Sequence, residues 1–161
     1  PGRTVADMLP ETVGRLARHE RIVAIKEATG DMQRLADIRA LVDDDFGLLS
    51  GDDFTALDFI RHGGHGVITV SGNVVPDKMA RLCRLAWSGS IEEADELDGS
   101  LQPLNTALFI ESNPIPVKWA VSRMGLMGPG IRLPLTPYSE EHHAAMRAAM
   151  ATAGVSLADN G

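Results

Sequence analysis

Lys26 closes an apolar run in the stretch RIVAIKEATGD, residues 21–31, where a cation has no place inside a hydrocarbon core. A lysine at the end of a strand can be a nucleophile if its amine is neutral. A free lysine, with a pKa near 10.4, is only about 0.04% neutral at pH 7. Held in an apolar mouth, such a side chain has a lower pKa and supplies the amine that attack on a ketone requires. A three-unit depression costs roughly 4 kcal/mol, which the scaffold must absorb. The product is a Schiff base with a carbonyl substrate. The plainer alternative is that Lys26 pairs with a carboxylate at the strand end and does nothing more.

Other side chains offer less. Arg3 can clamp a carboxylate bidentately, or be a surface residue near a ragged start. His62 and His65 flank two glycines, but two histidines make no metal set. His142 and His143 are adjacent and cannot share a helix face. Cys83, the single cysteine, sits on an apolar stripe and reads as core. No HExxH, P-loop or G-x-G-x-x-G pattern occurs. Neither a metal nor an organic cofactor is called for.

These residues need a scaffold, and 161 residues suffice for a sizeable core. Strand-like and helix-like patches alternate. Pro10 opens a helix with Val13, Leu16 and Ala17 on one face, and IVAIK reads as a buried strand. Leu35, Ile38 and Val42 recur at helical spacing. GLLSGDD is again strand-like, with Asp52 and Asp53 placed to cap TALDFIRHGG, a helix closed by Gly63 and Gly64. GVITV is a third buried strand, and Pro76 opens a helix striped with Met79, Leu82, Cys83 and Ala86. From Ser90 the texture changes. Ser90 and Glu93 form a capping box, and helices follow near 90–110, 114–124 and 139–154. The organisation is therefore a β/α part over residues 1–89 and a helical region over 90–161. Apolar strands alternating with helices predict an α/β fold with a parallel sheet. In such sheets the chemistry lies at the carboxyl ends of the strands, where Lys26, Gly51 and Thr69 to Asn73 fall.

Charge and hydropathy exclude several partners. The net charge of -7 and pI near 5.1 disfavour nucleic acid and anionic membrane. No apolar run approaches the roughly 18 residues of a membrane span. No signal-peptide pattern is visible, and with one cysteine a reducing cytoplasm is the expected compartment. The opening PGRTVADMLP lacks a methionine, which suggests a fragment, a processed chain or a partial sequence.

The motifs IVAIKEATGD, LLSGDD, GGHGVITVSGNVVP and ESNPIPVKWA, in this order and spacing, closely resemble bacterial dihydrodipicolinate synthases, now called 4-hydroxy-tetrahydrodipicolinate synthases. The resemblance runs from Pro1 to about Val155. KEATGD and NPIPVKWA favour this family over the N-acetylneuraminate lyases and ketodeoxygluconate aldolases, which share the lysine. Another pyruvate-dependent class I aldolase of the superfamily is the neighbouring alternative. The resemblance implies the C-terminal portion of a TIM (β/α)8 barrel, about three parallel strands with helices, followed by extra C-terminal helices. It implies condensation of pyruvate with aspartate semialdehyde on the lysine (diaminopimelate) pathway, in a homo-oligomer, dimer or tetramer. Lys26 aligns with the Schiff-base lysine and Arg3 with an arginine that holds a substrate carboxylate. Gly51 and Ile68 match positions whose backbone lines the pyruvate pocket, and Asp52 and Asn113 match residues near the second substrate. Gly72 stands where many members have alanine.

A barrel of this kind needs about 250 residues and eight strands. Three strands cannot close it, and their outer edges would be unpaired. The pyruvate loop and proton-relay residues of the family, and those that bind feedback lysine, have no counterpart in these residues. The expectation is a chain that carries the nucleophile without the whole site, inactive alone, with the N-terminal barrel half supplied by the same or a second chain. The alternative from another class is a non-catalytic half-barrel that serves as an assembly piece.

Overall fold

The computed structural model describes residues 5–158. It is α/β, with three parallel strands and seven α-helices among these residues. The chain divides into two compact units, Pro1–Ile68 and Thr69–Gly161.

The first unit alternates helix and strand: α1 Pro10–Leu16, β1 Ala24–Glu27, α2 Met32–Arg39, β2 Gly47–Ser50, α3 Ala56–Arg61 and β3 Gly66–Val67. The sheet order is β1-β2-β3, all parallel, with Lys26 opposite Leu49 and Leu49 opposite Gly66. One sheet face is covered by helices. Leu48 on that face packs with Val13, Leu35, Ile38, Phe46 and Phe59 into the core. Proline at the first position of α1 and an Asp31 side chain accepting from Gln33 N at α2 fix where these helices start. Arg34 ties the preceding segment to α2 through Asp7, 2.6 Å away, and the carbonyl of Met8. That bond holds the Asp7 carboxyl below the usual carboxylate range.

Several expectations need correction. β1 is not a buried strand: Val23 is 68% exposed, and Ala24 and Lys26 are exposed too. It is an edge strand, and among the described residues nothing covers its second face. Leu16 is exposed, and Val42 lies beyond the end of α2, half-buried against the core. GVITV shortens to Gly66–Val67, because Thr69 Oγ1 accepts from Gly72 N and turns the chain into a 3-10 turn at Ser71–Asn73. α3 does end at the glycines: Gly63 has φ 97, and a Cβ on Gly64 would lie 2.2 Å from the Phe59 ring.

The second unit holds α4 Pro76–Ser88, α5 Ile91–Leu108, α6 Ile115–Arg123 and α7 His143–Thr152. Leu82, Leu101, Leu104, Leu108, Met146 and Met150 form its buried interior. A buried hydrogen bond from Ser71 Oγ to Asn105 Oδ1, 2.6 Å, fastens the 3-10 turn to α5. Gly89, left-handed at φ 74, ends α4. The expected capping box does not form. The Ser90 hydroxyl sits 2.9 Å from Ser88 Oγ, and Glu93 turns to Arg81 at 3.3 Å, so neither side chain reaches the backbone N–H it would cap.

Candidate active site

Lys26 lies within β1, one residue from its carboxyl end, on the face not covered by helices. Side chains alternate across a strand, so Lys26 shares its face with Leu49 and Gly66, its neighbours in register. Its amine has no hydrogen-bond or ion-pair partner among the described residues. The carboxylate pairing offered by the plainer reading is therefore not made.

Gly51 explains how a long side chain finds room there. A Cβ at Gly51 would lie 2.5 Å from Lys26 Cε, 3.0 Å from its Cγ and 2.7 Å from Ala28 Cβ. The lysine stem crosses the bare glycine backbone. Gly51 N donates to the carbonyl of Glu27 at 2.6 Å, and Ile68 N to that of Ser50 at 2.7 Å. Lys26, Gly51 and Ile68 thus meet at one end of the sheet, with Ile68 47% exposed.

The loop after Lys26 is shaped by its own side chains. Glu27 is buried on the helix side, and its Oε1 accepts from Thr29 N at 2.6 Å. Thr29 Oγ1 accepts from Asp31 N, and Asp31 Oδ1 from Gln33 N. KEATGD is a relay of side-chain-to-backbone bonds running from the strand into α2. At Gly30, φ is 72, which suits glycine. A Cβ there would approach Asp52 Oδ2 to 3.3 Å. Asp52 Oδ2 in turn accepts from Thr55 N at 3.0 Å and Thr55 Oγ1 at 2.7 Å. So Asp52 holds Thr55, the residue just ahead of α3, but bonds no backbone N–H of the helix itself, and the cap expected of it is not made; one of its oxygens is committed to Thr55.

The remaining predicted residues lie elsewhere. Asn113 belongs to the second unit, directly ahead of α6, in a cis peptide bond to Pro114. Arg3 lies outside the described residues. His65 is structural: its Nδ1 accepts from Leu48 N at 2.9 Å, closing the edge of the ladder. Sequence reasoning missed the Glu27 bond and the platform role of Gly51. A glycine directly after an apolar strand and level with the lysine's neighbour was the available signal.

The geometry matches known proteins closely. The model of the dihydrodipicolinate synthetase family matches residues 1–153. The chain belongs to that family. Among similar proteins is a 4-hydroxy-tetrahydrodipicolinate synthase from Teredinibacter turnerae, 56% identical over 154 residues, covering 96% of this chain and 53% of the relative. The crystal structure of dihydrodipicolinate synthase from Aquifex aeolicus superposes with a TM-score of 0.94 at 38% identity, covering 99% of this chain and 55% of that one. The chloride-inhibited enzyme from Acinetobacter baumannii, solved in complex with pyruvate, gives a TM-score of 0.91 at 43% identity over 97% of this chain and 54% of its own. The chain therefore spans about half the length of the curated relatives it matches. Its strands and helices are the C-terminal portion of a TIM barrel with the helices that follow. Among the described residues no helix is long and apolar enough to cross a membrane.

Proposed function

We propose that these residues carry the nucleophile of a pyruvate-dependent lyase, which condenses pyruvate with aspartate semialdehyde in lysine biosynthesis. The observation that supports this most is the Lys26 amine, without a partner among the described residues, near the carboxyl end of β1 and laid across Gly51, in a chain of this family. The amine adds to the ketone carbon of pyruvate, water leaves, and an imine forms. Loss of a methyl proton gives an enamine whose carbon attacks the aldehyde, and the imine is later hydrolysed or displaced to free Lys26.

The other residues fall into place around that step. The backbone at Gly51 and Ile68 is assigned to the pyruvate side, and Asp52 and, on the resemblance alone, Asn113 are assigned to the second substrate. Arg3 holds a carboxylate of the incoming aldehyde without covalent chemistry. The barrel part comprises residues 1–89 and the helical region 90–161. The site is shared: in the order β1-β2-β3 the two outer strands each keep one unpaired edge among the described residues. A further strand-bearing segment, on the same or a second chain, covers Lys26, excludes water and supplies the acid and base groups, each worth about 10²–10⁴-fold. The working form is a homo-oligomer in the cytoplasm.

Borohydride reduction in the presence of pyruvate, followed by peptide mapping of the intact protein, tests the reading. The adduct is expected on Lys26. An adduct on another lysine, or none in an active preparation, overturns it.

A further inference from the structure

The second unit contains a cavity of about 380 Å³, lined by residues of α6, the segment after it and the start of α7. It includes none of the residues assigned above to pyruvate or the aldehyde. Its walls combine apolar surface, including Ile115, Ile131 and Pro137, with Trp119, Arg123 and Tyr138. Those last three share an anomaly: Trp119 Nε1, Arg123 Nε and Tyr138 Oη are buried and have no hydrogen-bond partner among the described residues. A buried donor without an acceptor costs about 1–3 kcal/mol, and native structures leave few of them. Three around one cavity, with a hydroxyl on a tyrosine only 6% exposed, call for a missing acceptor.

The surroundings hold the donors in place. The Trp119 and His143 rings stack at 4.5 Å, and Tyr138 lies 5.4 Å from Trp119. The Arg123 and Arg147 guanidiniums sit 5.2 and 5.4 Å from the Trp119 ring centre. The His143 Nε2–H donates to the Tyr138 carbonyl at 3.2 Å. The unpartnered indole and guanidinium groups can only donate, and the phenol is kept neutral. Among the lining residues the fixed cations Lys118 and Arg123 face one carboxylate, Glu140, and a second, Glu111, lies outside the lining and accepts from Ser139 N at 3.0 Å.

We infer that this cavity is a second ligand site, which takes a small organic carboxylate with an apolar body. The carboxylate oxygens accept from Trp119, Arg123 and Tyr138, and the body rests on the isoleucine and proline walls. The three donor atoms are themselves buried, so binding requires a side-chain adjustment around Trp119. This inference is independent of the lysine chemistry.

Benzoate serves as the probe, with benzyl alcohol as its neutral counterpart, titrated into the intact protein. The readout is the Trp119 indole N–H resonance, assigned by its loss in Trp119→Phe. Benzoate is expected to shift that resonance saturably and to bind at least tenfold more tightly than benzyl alcohol. Tyr138→Phe should weaken benzoate at least threefold, and Arg123→Met at least tenfold. No saturable shift with benzoate, or equal affinity for the neutral alcohol, overturns the inference. Both of these measurements use the unmutated protein and, once the resonance is assigned, hold whether or not the Tyr138 and Arg123 variants fold.

Discussion

At the carboxyl end of β1, Glu27, Thr29, Asp31 and Asp52 each accept a backbone N–H from a residue two or three positions along the chain. In the helical unit, Trp119, Arg123 and Tyr138 bury polar atoms that meet no partner among the described residues. The first region bonds its framework internally, and the Lys26 amine has no partner among the described residues. The second packs its aromatic framework tightly and leaves the donors unspent. A polar group that is bonded locally shapes the chain. One that is buried without a partner either costs stability or waits for a ligand. Substitutions in the two regions should therefore have opposite signs, and the following experiments press on that contrast.

The largest effect is expected at Gly51. A methyl group there would stand 2.5 Å from Lys26 Cε and 2.7 Å from Ala28 Cβ. The lysine stem can swing away, but the Ala28 Cβ is fixed to the backbone. Both responses move the amine. Misplacement by about 1 Å can cost 10²-fold, so Gly51→Ala should slow pyruvate-dependent borohydride trapping in the intact protein by about that factor. Trapping at the unmutated rate would show that the bare backbone at Gly51 is not what places the amine.

Next comes a pair of glycines with opposite surroundings. Gly64→Ala drives a methyl group into the Phe59 ring, 2.2 Å away, and into its carbonyl, 2.7 Å away. Overpacking of this kind costs about 1–3 kcal/mol. Gly99, inside α5, has nothing within 4 Å of an added Cβ. Gly99→Ala should stabilise by about 0.5–1 kcal/mol through helix propensity. Thermal melting of both variants beside the parent reads the two shifts, and a Gly64→Ala melt at or above the parent would contradict the close packing at the end of α3.

These cases show why some of the fold was legible and some was not. Helices announced by proline at the first turn, α1 and α4, begin where the residues place them, because the missing N–H costs nothing there. The strand positions, and with them Lys26 and Gly51 at the carboxyl end of the sheet, follow from apolar runs broken by glycine, whereas Ile68 is named by the resemblance alone. Burial was misjudged at β1, since hydrophobicity reports what a residue prefers, not whether anything covers it. The Ser90 capping box failed because Ser88 and Arg81 compete for its two side chains, a contest invisible in the four-residue motif. The aromatic cavity gave no periodic signal at all. Trp119, Tyr138 and His143 are brought together by packing of α6 against the segment before α7, with no spacing rule to link them.

A smaller loss is expected in the relay after Lys26. Asp31 accepts from Gln33 N at 2.8 Å and starts α2. Asp31→Ala removes that cap and should cost about 1 kcal/mol. Because Asp31 N also donates to Thr29 Oγ1, the main-chain bond survives the substitution, and the trapped adduct on Lys26 should still form. Denaturant unfolding gives the stability term. Loss of the adduct together with full retention of stability would mean that Asp31 acts on the lysine directly.

The smallest effect on stability, opposite in sign to that of Asp31→Ala, is expected at Tyr138. Its hydroxyl is buried without a partner among the described residues, so removing it takes away a desolvation cost and no hydrogen bond. Tyr138→Phe should leave the ligand-free melting temperature unchanged or slightly raised, whereas Asp31→Ala lowers it. The same environment governs the alkaline behaviour. Burial first, and then the Glu111 carboxylate, push the phenol up to about 12. Ionisation in the unfolded chain occurs near 10. Below pH 10 the phenol is neutral in both states. Between 10 and 12 the unfolded chain releases the proton and the folded one keeps it, so this contribution to stability is full below 10 and is lost as the pH rises toward 12. The difference in ultraviolet absorbance between the parent and Tyr138→Phe, followed with pH, isolates this one phenolate. A midpoint near 10 in the folded protein would mean that water reaches the hydroxyl, and the contrast between the two regions would then be one of solvent access, with no donor left unspent in the cavity.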